Sequence, residues 1–137
     1  MLNNYLRDRA GQDTRSHASV CYILRQQDSP SICGYYTLSA TSIELGHLPA
    51  AVAKRLPRYP HVPAALIGRL AVDRLHHGSG YGGLLVADAL ARCRRLSGSL
   101  GMVAVLVDAK NPAAELFYAH YGFAQLEGVN RRMFIPI

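Results

Sequence analysis

Between the apolar run that ends at Val72 and an amphipathic stretch that begins near Gly82 stands the segment His77-Gly78-Ser79-Gly80-Tyr81-Gly82-Gly83. Glycine lets a backbone approach a ligand closely. The start of a helix adds N–H groups with no acceptor inside the helix, plus the positive end of its dipole. Together these features favour a phosphate or pyrophosphate. Glycines can also do no more than shape a tight strand-to-helix turn. Four of them within six residues (Gly78, Gly80, Gly82 and Gly83) exceed what such a turn needs.

Three phosphate-binding patterns compete for this turn. A Walker loop requires Lys-Ser or Lys-Thr after its last glycine, and Leu84-Leu85 stand there instead. A dinucleotide fingerprint fits the letters, because Gly78-Ser79-Gly80-Tyr81-Gly82-Gly83 reads GxGxxG and Asp108 ends the next expected strand, where a ribose-binding acid would sit. Two features weigh against it. Five residues, Asp73-Arg74-Leu75-His76-His77, separate Val72 from Gly78, and only about 30 residues follow Asp108, too few for the remaining βαβ units. An acyl-CoA pyrophosphate loop is the third pattern.

The elements that must position this turn are legible from periodicity. Ser19-Val20-Cys21-Tyr22-Ile23-Leu24 is β-branched and aromatic, and Ser31 to Glu44 alternates, so the two predict an antiparallel hairpin across a polar turn from Gln26 to Pro30. Leu48 to Leu56 predicts a short helix begun at Pro49 and stopped by Pro57, followed by an irregular Pro57–Pro63 segment. Ala64 to Val72 is nearly all apolar, the pattern of a central strand buried on both faces, with Gly68 a candidate bulge. The helix after the turn runs to Leu96, with Leu85, Ala89, Leu90, Cys93 and Leu96 inward and Arg92, Arg94 and Arg95 outward. Met102–Val107 predicts a second buried strand, Asn111-Pro112 opens a helix to His120 that closes before Gly122, and Met133–Ile137 is a last strand. Tyr5 to Arg15 reads as a short polar helix or helix end. The fold class is α+β.

With 137 residues, half of them hydrophobic, the chain is expected to form one domain over 1–137 with a core of its own. No apolar stretch reaches a membrane-spanning length, and the first residues lack the apolar run of a secretory signal. Cys21, Cys33 and Cys93 are odd in number and form no CxxC, which argues for reduced thiols in a cytoplasmic protein rather than disulfides or a cysteine zinc site. His76 and His77 have no third ligand near them in sequence, so no metal is expected. The net charge is +6, and Arg supplies all but two of the 15 basic residues. Arg binds phosphate through two parallel hydrogen bonds, so this balance suits a polyanionic partner, although an arginine-rich proteome produces the same count.

The sequence resembles the GNAT family of N-acetyltransferases. The family's loop has Gln or Arg, two residues, Gly, one residue, then Gly or Ala; His77, Gly80 and Gly82 stand at those positions. Likeness continues at Asn111 and through Phe117-Tyr118-Ala119-His120-Tyr121-Gly122-Phe123. The resemblance implies the acyl-CoA N-acyltransferase fold, a mixed but mostly antiparallel sheet with helices on both faces, and acetyl-CoA as cofactor. It also implies residue roles. Backbone groups of Leu70, Ala71 and Val72 would pair with the pantetheine arm, and amides of Gly78, Ser79, Gly80, Tyr81, Gly82 and Gly83 would meet the pyrophosphate. His77 replaces the family's Gln or Arg, Asn111 lies near the pantetheine, and Tyr118 is the general acid for the departing thiolate. Thiol and phenol pKa values, roughly 8.5 and 10, suit that role. Without the resemblance Tyr118 reads as a packing residue beside Phe117 and Tyr121. Glu44 and Glu115 read as surface or salt-bridging acids rather than general bases.

Within that family the chain is most similar to the GNAT toxins of bacterial toxin–antitoxin pairs. The blocks that carry this are Tyr5-Leu6-Arg7-Asp8-Arg9-Ala10-Gly11-Gln12-Asp13, Gly34-Tyr35-Tyr36-Thr37-Leu38-Ser39-Ala40, Arg55-Leu56-Pro57-Arg58-Tyr59-Pro60 and Gly68-Arg69-Leu70-Ala71-Val72-Asp73. The resemblance implies acetylation of the α-amine of aminoacyl-tRNA, a ribbon-helix-helix antitoxin as partner, and allows a homodimer. By the same resemblance the domain is expected to be N-terminally short, with the family's first strand missing ahead of Tyr5. Two other readings remain: a GNAT acting on a small amine or protein N-terminus, and a truncated module that binds CoA or antitoxin without turnover.

Overall fold

The computed structural model describes residues 15–27 and 29–137. All but Arg15 of the polar helix expected over 5–15, and all of the Tyr5–Asp13 block, lie outside the described residues. β1 (Val20–Arg25) and β2 (Ile32–Glu44) form the expected antiparallel hairpin, in the register Val20↔Leu38 through Leu24↔Gly34. The register shifts between Leu24 and Arg25, so that Arg25 meets Ile32 and Cys33 is skipped. A 3-10 turn at Leu45–His47 leads to α1 (Ala50–Ala53), then β3 (His61–Val72), a second 3-10 turn at Arg74–His76, and α2 (Tyr81–Leu96). β4 (Ala104–Asp108), α3 (Pro112–His120), β5 (Ala124–Gln125) and β6 (Arg132–Pro136) complete the chain. The strands form one mixed six-stranded sheet in the order β1-β2-β3-β4-β6-β5, in which β4–β6 and β5–β6 pair antiparallel.

The chain divides into two compact units. The first comprises the described residues up to Ser39 together with Ile67–Ala89, and the second comprises Ala40–Leu66 and Leu90–Ile137. In the first, Cys33 to Leu38 of β2 are buried without a break, so this segment is covered on both faces. Its core includes Tyr35, Tyr36, Ile67, Leu85, Val86 and Ala89. Buried Thr37 is satisfied by accepting the Arg69 N–H through its hydroxyl at 3.0 Å. In the second unit Ile43, Leu48, Val62, Ala64, Ala104, Leu106, Leu126 and Phe134 form one apolar cluster.

Several elements differ from their sequence-based expectation, each for a physical reason. β3 starts at His61, inside the segment expected to be irregular, because its exposed-buried alternation begins there: His61 and Pro63 face out, Val62 and Ala64 in. Pro63 joins the sheet through its carbonyl, which accepts the Val103 N–H at 2.8 Å, so its missing donor leaves that bond intact. Burial on both faces also stops short of the strand end, since Gly68 and Arg69 are exposed and Leu70, Ala71 and Val72 only partly covered. α1 has four helical residues rather than nine, with Pro49 as its N-cap. Leu96, expected inward, is 42% exposed because α2 ends there, and Arg92, expected outward, is partly buried. The two-residue β5 left no readable pattern.

Candidate active site

In the first unit, β3 delivers the chain into the glycine turn and α2 carries it away. Gly78 and Gly80 have φ of +82° and +80°, the left-handed region where a side chain is strained. A Cβ built on either would meet nothing within 4 Å, so it is backbone conformation and not crowding that requires glycine, and the turn lies open above both residues. Gly78, Ser79 and Gly80 are all exposed. The Leu84 N–H donates to the Gly80 carbonyl at 3.1 Å, the first bond of α2. The N–H groups of Tyr81, Gly82 and Gly83 precede it and have no acceptor within the helix. No acidic residue occupies that first turn, and the Arg74 side chain, four residues before Gly78, makes no ion pair among the described residues. An open amide cradle free of carboxylates fits a pyrophosphate.

His77 has a partner within the protein that its motif position does not reveal. Its Nε2 lies 2.9 Å from the Val72 carbonyl oxygen, tying the start of the turn to the end of β3. The ring nitrogen donates to that carbonyl, so this face of the side chain is committed to the protein. On the other side of the turn, Gln26 Nε2 donates to the Tyr81 hydroxyl at 3.3 Å, and the His76 and Tyr81 rings lie 5.5 Å apart. Deeper in the same unit the Tyr36 hydroxyl donates to Asp88 Oδ2 at 2.5 Å, and Tyr36 stacks on Tyr22. This links β2 to α2 one and a half turns beyond the glycines.

The approach of β2 to β3 depends on Gly34. A Cβ there would lie 2.7 Å from the Ala71 carbonyl oxygen, 3.1 Å from Leu85 Cδ1 and 3.4 Å from the Val72 Cα. The Asp73 N–H donates to the Cys33 carbonyl at 2.8 Å and closes the same edge. In the sequence Gly34 stands only as the first residue of the Gly34–Ala40 block. A glycine inside an otherwise β-branched and aromatic strand was the signal of a close backbone approach.

The second unit carries the other expected residues. Asn111 is the N-cap of α3, its Oδ1 accepting the Ala114 N–H at 2.9 Å, with Pro112 at the first helical position. Tyr118 is 8% exposed, with its ring edge-on to Phe117 at 5.2 Å and to Phe123 at 5.6 Å. Burial pushes its phenol above the usual tyrosine range. Among the described residues its hydroxyl forms no hydrogen bond, and no unpartnered side-chain oxygen is enclosed, so the ring is packed while the hydroxyl reaches the surface. Asp108, the acid that a dinucleotide site would use, is held by Arg132, whose Nε donates to Oδ1 at 2.7 Å and whose Nη2 donates to Oδ2 at 2.8 Å. Burial of the guanidinium opposes its charge, but the hydrogen-bonded carboxylate outweighs it and holds Arg132 above its ordinary value. Glu44 Oε2 lies 3.2 Å from His47 Nε2, and Glu115 is ion-paired with Arg131 at 3.5 Å.

Comparison with known proteins bears on both halves. Residues 18–125 match the family described as "Acetyltransferase (GNAT) domain". The chain is 35% identical over 122 residues to a tRNA-acetylating toxin of Mycobacterium tuberculosis, covering 89% of this chain and 71% of that one. It is 28% identical to a probable toxin TacT of Sinorhizobium fredii, covering 99% of this chain and 79% of the relative. Among solved structures, AtaT complexed with acetyl-methionyl-tRNAfMet superposes with a TM-score of 0.92 at 34% identity, covering 98% of this chain and 81% of that one. AtaTR bound with AcCoA superposes with a TM-score of 0.82 at 33% identity, covering 98% and 80%.

Proposed function

We propose that this chain, which belongs to the GNAT acetyltransferase family, transfers an acetyl group from acetyl-CoA to the α-amine of aminoacyl-tRNA and thereby stops translation. The observation that carries the acceptor is its likeness, at 35% identity across 89% of its length, to a protein named for acetylating tRNA. Acetyl-CoA supplies the acyl group as a thioester with a thiol leaving group.

The residues divide the work. Amides of Gly78–Gly83 bind the pyrophosphate, aided by the dipole of α2. Backbone groups of Leu70, Ala71 and Val72 hold the pantetheine, with the Val72 carbonyl already engaged by His77. Asn111 Oδ1 is committed to capping α3, which leaves its side-chain N–H2 for the pantetheine. Tyr118 Oη keeps its proton well past neutral pH because the ring is buried, and it is the donor assigned to the departing thiolate. An α-amine has a pKa of roughly 7.7–8.0, so part of it is neutral at physiological pH without a general base. Glu44 and Glu115 are each engaged by a neighbouring side chain, which agrees with that.

Loss of the His77 tie measures its positioning role. His77→Ala removes one hydrogen bond, worth about 0.5–1.5 kcal/mol, and is expected to raise KM for acetyl-CoA roughly 2- to 10-fold with kcat little changed, as steady-state kinetics would read. Arg94 and Arg95 are exposed near the end of α2 and carry no ion pair among the described residues. Their joint replacement by Ala is expected to raise KM for charged tRNA and flatten its salt dependence by roughly one to two units of log–log slope. An enzyme acting on a small amine would be indifferent to both arginines, so comparing the double variant on charged tRNA and on a free amino-acid ester decides the acceptor class.

The same reading includes an antitoxin of the ribbon-helix-helix type that silences the enzyme. One relative, AtaT, has been solved bound to the C-terminus of its antitoxin AtaR. No helix among the described residues is long and apolar enough to cross a membrane, and the cytoplasm, where charged tRNA is found, is the compartment we assign.

A further inference from the structure

Residues 54–61 of the second unit, Lys54-Arg55-Leu56-Pro57-Arg58-Tyr59-Pro60-His61, are exposed at every position except Leu56, which packs against the apolar cluster. Tyr59 is 63% exposed and is the one Phe or Tyr ring in the exposed class among the described residues. Lys54, Arg55 and Arg58 make no side-chain ion pair or hydrogen bond among the described residues, whereas Arg131 and Arg132 are each paired with an acid. The segment is nonetheless anchored. The Lys54 N–H donates to the Ala50 carbonyl at 3.1 Å, the Leu56 N–H to that of Ala53 at 3.0 Å, and the Leu45 N–H to the Pro60 carbonyl at 3.0 Å. Pro57 and Pro60 fix φ on either side of Arg58-Tyr59. Three unneutralised cations and an uncovered ring are thus presented by backbone that is already ordered.

That combination selects among polyanions. Cations alone suit an acidic peptide or a duplex backbone as well as anything else. An exposed ring next to Arg58 adds a stacking face, which an unpaired base can use and a duplex cannot, because bases inside a helix already stack on one another. We propose that residues 54–61 form a stacking platform for an unpaired nucleotide at the single-stranded 3′ end of the acceptor tRNA, with Tyr59 under the base and Arg55 and Arg58 on the flanking phosphates. The inference rests on the aminoacyl-tRNA reading above and adds to it the surface that takes the end of the substrate.

The test is binding of uncharged tRNA by the full chain, measured with the intact RNA and with the same RNA trimmed of its unpaired 3′ nucleotides. Tyr59→Ala is expected to weaken intact tRNA by roughly ten-fold or more while Tyr59→Phe retains it. The trimmed RNA is expected to bind weakly to wild type and no more weakly to Tyr59→Ala. Arg58→Ala is expected to lower the salt slope by about one. Circular dichroism checks that each exposed-site variant is folded. Equal affinity of wild type and Tyr59→Ala for intact tRNA overturns the platform, as does an equal loss on both RNAs. So does a Tyr59→Ala loss confined to an acidic antitoxin peptide, which would assign the segment to a protein partner. Wild type that acetylates charged tRNA but ignores these substitutions overturns the platform alone; wild type with no affinity for tRNA overturns the acceptor reading with it.

Discussion

Tyr118→Phe is expected to lower kcat by about 10²–10⁴-fold, the range for a lost general acid, with KM for acetyl-CoA close to wild type. The substitution removes one oxygen and keeps the ring, so the edge-on contacts with Phe117 and Phe123 survive. The lost hydroxyl has no hydrogen-bond partner among the described residues, so folding stability should stay within about 0.5 kcal/mol of wild type. A Tyr118 that serves only to pack would show kcat as well as Tm unchanged in the same variant, because Phe keeps both ring contacts. The pH profile adds a second reading. Burial favours the neutral phenol, so its pKa lies above the usual value of about 10 and alkaline loss of activity begins only beyond that point. The sign for folding is the same: a folded-state pKa above the unfolded one means stability is full below the unfolded value and falls as pH rises through the folded one. Both effects should be absent from the Tyr118→Phe profile.

Gly34→Ala is expected to be the most damaging single methyl group in the first unit. A contact of 2.7 Å between Cβ and the Ala71 carbonyl oxygen cannot be kept, and the obstructing atom is backbone, which no rotamer change can move. Either β2 and β3 separate or the end of β3 shifts, and overpacking of this kind costs about 1–3 kcal/mol, occasionally more. Because Leu70, Ala71 and Val72 form that strand end, the variant should lose stability and acetyl-CoA affinity together. Thermal unfolding alongside a titration with CoA reads both. Gly68→Ala is a milder contrast: its Cβ would lie 3.0 Å from Thr37 Oγ1, a side-chain atom that need give by only a few tenths of an ångström, a shift its bond from the Arg69 N–H can absorb.

The glycine turn could be read from sequence because its cause is local. Positive φ at Gly78 and Gly80 is a property of the residues themselves, and the helix after it follows from apolar spacing. The hairpin and the Asn111-Pro112 cap were legible for the same reason. Elements ruled by tertiary context were not. Pro63 looks like a strand breaker until the direction of its ladder bond is known, and Gly34 looks idle until β3 arrives beside it. His77 shows the limit of motif matching. Its motif position says nothing of the bond that one ring nitrogen makes to the Val72 carbonyl. Asp108 had left a dinucleotide fingerprint open, and its two-point bond with Arg132 accounts for the carboxylate without a ribose. Tyr118 stood between two readings, packing residue and acid. Its geometry contains both, a packed ring and a hydroxyl with no partner among the described residues.

The most direct measurement incubates the protein with acetyl-CoA and a mixture of charged tRNAs, then digests the RNA and weighs the aminoacyl adenosines. N-acetyl-aminoacyl adenosine is expected to accumulate with time, to disappear when acetyl-CoA is omitted and to fall sharply with Tyr118→Phe. Aminoacyl adenosines that stay unacetylated while the same preparation acetylates a small amine would contradict the aminoacyl-tRNA reading.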